Sequence, residues 1–184
     1  ARQTLQDLTK LNYKGIVVIK STITPHHLTQ FKKDFKLKIV YNPEFLRART
    51  AKQDFANQKV FVLGGENEEQ MTFWENLFNH LNTNVVKTNR TTASMIKYTH
   101  NAWLATKVAF FHELFENMPR DTNYSELTSV LGQMPNIGPS HMIAPSFEGG
   151  LGYSGHCFPK DVKALTNEID HSILEQIKIT NSRL

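Results

Sequence analysis

The chain has 184 residues, 40% of them hydrophobic and 21% charged, which is the composition of a soluble globular protein with room for one or two cores. No apolar run nears the ~20 residues that span a bilayer, the first residues show no signal-peptide core, and a lone cysteine excludes an intrachain disulfide and a cysteine-built zinc site. The net charge of +4 comes from scattered Lys and Arg, so a cytoplasmic protein with no nucleic-acid or membrane partner is expected. Its mild positive field suits phosphorylated small molecules.

In chain order, residues 3–12 read as the end of an amphipathic helix. Lys14-Gly15 leads into Ile16-Val17-Val18-Ile19, a β-branched run typical of a strand covered on both faces, as in a parallel sheet. A helix is expected over 26–35 and a second strand over 38–41, ending at Asn42-Pro43. A third strand covers 59–63 and ends at Gly64-Gly65. A helix over about 67–81 and a short strand at Val85-Val86 follow. Strands alternating with helices indicate an α/β sheet of crossover units.

The character changes after Thr88. With Thr91 or Thr92 as N-cap, a helical pattern runs from Ala93 to about Met118 without Gly or Pro, and Pro119 stops it. Shorter helices are expected at 124–131, 161–169 and 171–180. The domain cut is placed at residue 88, giving a sheet unit over 1–88 and an all-helical unit over 89–184. No strand-associated Gly-x-Gly-x-x-Gly occurs in the sequence. Each βαβ unit takes about 30 residues, so these strands make half of a doubly wound sheet.

Four stretches carry chemistry. In Gly152-Tyr153-Ser154-Gly155-His156-Cys157-Phe158-Pro159-Lys160-Asp161, glycines let a ligand approach the backbone. Lys160 and a helix opening near Asp161 put positive charge beside the sulfur, while Asp161 can hold a lysine or a water. The same stretch also reads as a Gly-rich turn with a buried, inert thiol. Lys97 and Asn101 are four apart on the long helix, so an ammonium and a carboxamide share a face and suit an oxyanion. A solvated Lys–Asn pair is the plainer alternative. Tyr41-Asn42-Pro43-Glu44-Phe45-Leu46-Arg47 lies where a strand ends, the edge at which such sheets bind ligands, which makes Glu44 a candidate base. Lys20-Ser21-Thr22 also follows a strand, with hydroxyls suited to a ribose or nicotinamide. Read from the residues alone, both are more readily loop-capping polar clusters.

In this order, Lys20-Ser21-Thr22, Asn42-Pro43-Glu44-Phe45-Leu46, Lys97-x-x-x-Asn101 and Gly155-x-Cys157-Phe158-Pro159-Lys160-Asp161 resemble the successive signatures of the UDP-glucose/GDP-mannose dehydrogenase family. The resemblance spans essentially the whole chain, and its Cys-centred motif is the most specific. It implies the middle of such an enzyme: the second half of a Rossmann-like cofactor domain, then a helical linking domain that dimerises through the long helix. Both flanks would be missing, the Gly-rich nucleotide loop among them.

The chemistry implied is the oxidation of a nucleotide sugar, UDP-glucose first, to its acid with two NAD. Cys157 would hold the aldehyde as a thiohemiacetal and then a thioester, and Lys97 and Asn101 would stabilise the oxyanions. Glu44 would steer water, with Thr22 and Asp161 supporting water and lysine. Thr22 and Lys160 would lie near NAD. Phe45, Leu46 and Arg47, with the loop Met142, Ile143, Ala144, Pro145 and Ser146, would line the sugar beside Ser154. No metal is implied.

Departures from the family pattern are Ala48 for a glutamate, Ser154 for a glycine, His112 for an asparagine, and a longer loop at Glu148-Gly149-Gly150-Leu151. Two other readings stand beside this one: a truncated, non-catalytic dimerisation module, and a hydroxyacid dehydrogenase of the 6-phosphogluconate type. The second shares the Lys-x-x-x-Asn helix but needs no cysteine.

Overall fold

Short apolar runs separated by Pro, Gly and Asn give four strands among the described residues: β1 (Ile16–Ile19), β2 (Lys38–Tyr41), β3 (Val60–Gly64) and β4 (Asn84–Thr88). The computed structural model describes all residues except Asn82, Phe147 and Glu148, and for Ala48 the backbone only. The expectations attached to the Ala48 side chain and to a longer loop beginning at Glu148 therefore fall outside the described residues.

Eight α-helices accompany the strands among the described residues: α1 (Arg2–Lys10), α2 (Pro25–Asp34), α3 (Ala51–Ala56), α4 (Glu68–Asn76), α5 (Arg90–Asn117), α6 (Tyr124–Gln133), α7 (Phe158–Glu168) and α8 (Ser172–Arg183). The chain divides into two compact units, Ala1–Lys97 and Tyr98–Leu184.

In the first unit the strands lie in the order β1-β2-β3-β4. Alternate residues serve opposite faces, as the two-residue period of a strand requires. Ile19, Ile39, Tyr41 and Val62 join Leu5, Leu28, Phe31 and Ala93 on one side. Val40, Phe61 and Leu63 join Met71 on the other, with Trp74 and Phe78 packed against them. Both faces are covered, which is why the strands read as continuous apolar runs.

The sheet is α/β as expected, but it is mixed rather than parallel throughout. β1–β2 and β3–β4 are parallel, whereas β2 and β3 meet in one antiparallel pair, Tyr41 opposite Gly64. Asn42 and Pro43 explain the short ladder, because Pro43 has no N–H to extend it. The Asn42 Nδ2 instead donates to the Val62 carbonyl at 2.8 Å.

Some element bounds differ from expectation for local reasons. The long helix starts at Arg90, capped by Asn89, whose Oδ1 accepts the Thr92 N–H at 2.8 Å; an Asn outcompetes the threonines that follow it. α4 ends at Asn76 rather than near 81. A 3-10 turn at Ala48–Thr50 and helix α3 carry no apolar stripe and were not expected. Asp54 organises them, accepting from the Arg47 N–H at 2.9 Å and the Thr50 hydroxyl at 2.9 Å.

In the second unit, small residues on α5 (Ala102, Ala105, Ala109) are buried with Tyr98, Phe111, Val162, Leu165 and Leu174. Tyr124 on α6 packs its ring edge-on against Phe115 at 4.9 Å.

Candidate active site

At the carboxyl ends of β1 and β2 the polar residues form one network. Lys20 Nζ donates to Asn42 Oδ1 at 3.0 Å and lies 3.6 Å from Glu44 Oε2. Burial lowers the Lys20 ammonium below the ordinary lysine range, and Glu44 pulls it back up. Glu44 is exposed and Thr22 half-buried. Further along, Lys97 is buried with its Nζ 5.4 Å above the Phe45 ring, so the solvated alternative for this lysine is set aside.

Leu46 is half-buried. Arg47 is committed elsewhere: its guanidinium clasps Asp54 at 2.6 and 3.0 Å, holding that carboxyl far below the usual carboxylate range. Its carbonyl accepts from the Thr50 N–H. Both backbone groups of Arg47 are thus engaged within its own turn.

In the second unit, α7 opens at Phe158, three residues before the position expected, and this puts Cys157 at its N-cap. Pro159 in the first turn fits this start, since the N–H it lacks would have no helical partner. Cys157 is exposed, so a buried structural thiol is excluded. Its carbonyl accepts from the Asp161 N–H at 2.9 Å.

Asp161 is 1% exposed. It accepts from Asn101 Nδ2 at 2.6 Å and from Lys160 Nζ. The remaining Asn101 atom, Oδ1, lies 2.9 Å from His100 Nδ1. The structure thus brings Asn101, Asp161 and Lys160 together within one unit, with Cys157 one helical turn before Asp161.

The loop expected to line a sugar is anchored from below. Tyr124 Oη lies 2.6 Å from the Met142 carbonyl and 3.1 Å from the Phe111 carbonyl, and burial pushes its phenol up to about 12. Met142 is buried, Ile143 and Pro145 are exposed, and Ala144 and Ser146 are intermediate. Ser154 and Gly155 are exposed in the turn before Cys157. Gly152 has φ +77°, and a Cβ there would lie 2.7 Å from Asn181 Oδ1, so only glycine fits.

Residues 2–82 match the sequence model of the UDP-glucose/GDP-mannose dehydrogenase family, NAD binding domain, and residues 91–183 match that of its central domain. The chain belongs to the UDP-glucose/GDP-mannose dehydrogenase family. NAD is the cofactor of this family's binding domain. UDP-glucose 6-dehydrogenase of Rickettsia typhi is 33% identical over 93% of the chain and 42% of its own length. UDP-glucose 6-dehydrogenase TuaD of Bacillus subtilis is 35% identical over 73% of the chain and 28% of its own length.

A solved UDP-glucose dehydrogenase from Pyrobaculum islandicum superposes with a TM-score of 0.76 at 25% identity, covering 91% of this chain and 41% of that one. The chain therefore spans about two fifths of the length of such relatives. No helix among the described residues is long and apolar enough to cross a membrane.

Three anchoring residues of this family member were not singled out as site residues from sequence: His112, Tyr124 and Asn181. His112 was visible only as a departure from the family pattern. A polar residue on the buried stripe of a long helix was the signal available.

Proposed function

We propose that the chain is the cofactor-and-linking portion of an NAD-dependent dehydrogenase that oxidises UDP-glucose to UDP-glucuronate. On this reading residues 1–88 form the second half of the cofactor domain and residues 89–184 the helical linking domain. The observation that carries it is the exposed Cys157 at the N-cap of α7, one turn from the buried Asp161–Asn101 pair.

The residues present fit part of the cofactor. The hydroxyls of Ser21 and Thr22 follow β1 at the ligand-binding edge of the sheet and suit a ribose or a nicotinamide amide. Lys160, more than half exposed, is a second candidate. The pyrophosphate site of such a domain needs a Gly-rich turn between a strand and a helix, and none of the strands β1 to β4 leads into a Gly-x-Gly-x-x-Gly. When bound, NAD accepts the hydride in each of the two oxidations.

The chain's own groups divide the remaining work. The Cys157 sulfur adds to the aldehyde carbon and forms a C–S bond, and the carbonyl oxygen takes the proton; this is covalent catalysis that keeps the carbon in place for the second oxidation. The resulting thioester loses its C–S bond to water, which returns the thiol and releases the acid. Asn101 and Lys97 donate to the oxygen that gains negative charge. Asp161 fixes the Asn101 amide so that Nδ2 is the donor, and Glu44 with Thr22 orients water. Phe45 and Leu46, with the 142–146 loop and Ser154, line the sugar.

The test is Cys157→Ser in a reconstructed full-length enzyme. Loss of UDP-glucuronate formation is expected; acid production at the normal rate would overturn the covalent role of Cys157. The 184-residue chain alone is expected to show no NAD-dependent turnover.

A homodimer through α5 is part of the proposal. Trp103 and Phe110 are 62% and 58% exposed and lie two turns apart on one helix face, an apolar patch that a partner would cover. Light scattering checks it, and a strict monomer would remove it.

A further inference from the structure

His112 has no part in the chemistry assigned above, yet it is buried on α5 with both ring nitrogens engaged. The Gly152 N–H donates to Nδ1 at 2.8 Å. A backbone amide can only donate, so Nδ1 carries no proton and the ring hydrogen sits on Nε2. Nε2 donates in turn to the Ile143 carbonyl at 2.8 Å. One imidazole from α5 thereby spans two loops.

Each loop has another anchor, but neither of those reaches the other loop. Tyr124 Oη holds the Met142 carbonyl. Asn181 accepts the Tyr153 N–H at 2.6 Å and donates to the Tyr153 carbonyl at 3.2 Å. Beyond Tyr153 the chain becomes exposed and runs straight into the turn ending at Cys157.

We propose that His112 is a positioning residue: bridging Gly152 to Ile143, its neutral imidazole sets the spacing between the Cys157 turn and the 142–146 loop. The roles of those two segments rest on the function proposed above. An apolar side chain of similar size fills the volume but leaves a buried amide and a carbonyl unpaired. A carboxamide does half the task. The Oδ1 of an asparagine stands near the position of Nδ1 and accepts from Gly152. The Nε2 of a glutamine stands near the histidine Nε2 and donates to Ile143.

The two halves of the bridge are therefore separable in His112→Asn and His112→Gln. Amide hydrogen exchange at Gly152 is measured on the protein without ligand. Turnover of UDP-glucose with NAD is then measured in the reconstructed full-length enzyme. Exchange at Gly152 is expected to be about tenfold faster in His112→Gln than in His112→Asn, as for the loss of one hydrogen bond. His112→Gln is expected to lower kcat with KM nearly unchanged, and His112→Asn to raise KM with kcat nearly unchanged.

Equal Gly152 exchange in the two variants overturns the bridge. The expected exchange pattern with identical kinetic changes in both variants overturns the positioning role. Acid formation at full rate by Cys157→Ser would remove the proposed chemistry while leaving the exchange pattern intact, so the two failures are distinguishable.

Discussion

Asn101 donates through Nδ2 to Asp161 Oδ2 at 2.6 Å, with both side chains almost sealed from solvent. The contact links α5 to the first turn of α7 and fixes which end of the amide points at the carboxylate. Asp161→Ala leaves a buried donor without an acceptor and is expected to cost about 1–3 kcal/mol, read from urea unfolding. Asn101→Asp is expected to cost more than Asn101→Ala, because it sets two carboxylates face to face. The reverse order would show that the pair opens to water.

Acid sensitivity is expected at His112. Burial pushes its imidazole below the ordinary value of 6.5, and the Ile143 carbonyl pulls the other way. The unfolded chain then binds the proton more tightly than the folded one, so acid favours unfolding. The contribution is complete above about pH 6.5 and is lost as pH falls from there through the folded value. The difference in unfolding free energy between wild type and His112→Asn, followed from pH 8 to pH 5, should shrink as pH falls. A constant difference would mean that the ring stays neutral, or charges without cost, in both states.

Gly64 closes β3 against the start of α5. A Cβ there would meet the Ala93 Cβ at 2.7 Å and the Arg90 Cα at 3.0 Å; the second is backbone and cannot swing away. Gly64→Ala is expected to destabilise by about 1–3 kcal/mol through overpacking. A denaturation midpoint equal to that of wild type would mean that the helix start yields freely.

Much of the fold was legible because it follows from periodicity. Ile16 to Ile19 and Phe61 to Leu63 read as covered strands since each alternate residue meets a different cluster. α5 was legible as an unbroken helical pattern. What hid was made by polar contacts rather than apolar spacing. α3 depends on Asp54 and its ties to Arg47 and Thr50, and the antiparallel β2–β3 meeting depends on where Pro43 falls. In the site, the family motifs led to Cys157, Asn101 and Asp161. The loop anchors His112, Tyr124 and Asn181 are single residues far from the segments they hold, so no local word in the sequence announces them.

Asn42 supplies by side chain the sheet bond to Val62 that Pro43 cannot, and its oxygen receives Lys20. Chemical ageing of an asparagine begins when the next backbone nitrogen attacks the side-chain amide, and a proline nitrogen, already fully substituted, is ill suited to that ring closure. The residue that cuts the ladder short therefore also shields its replacement from slow conversion to aspartate, which would turn a carboxylate oxygen against the Val62 carbonyl.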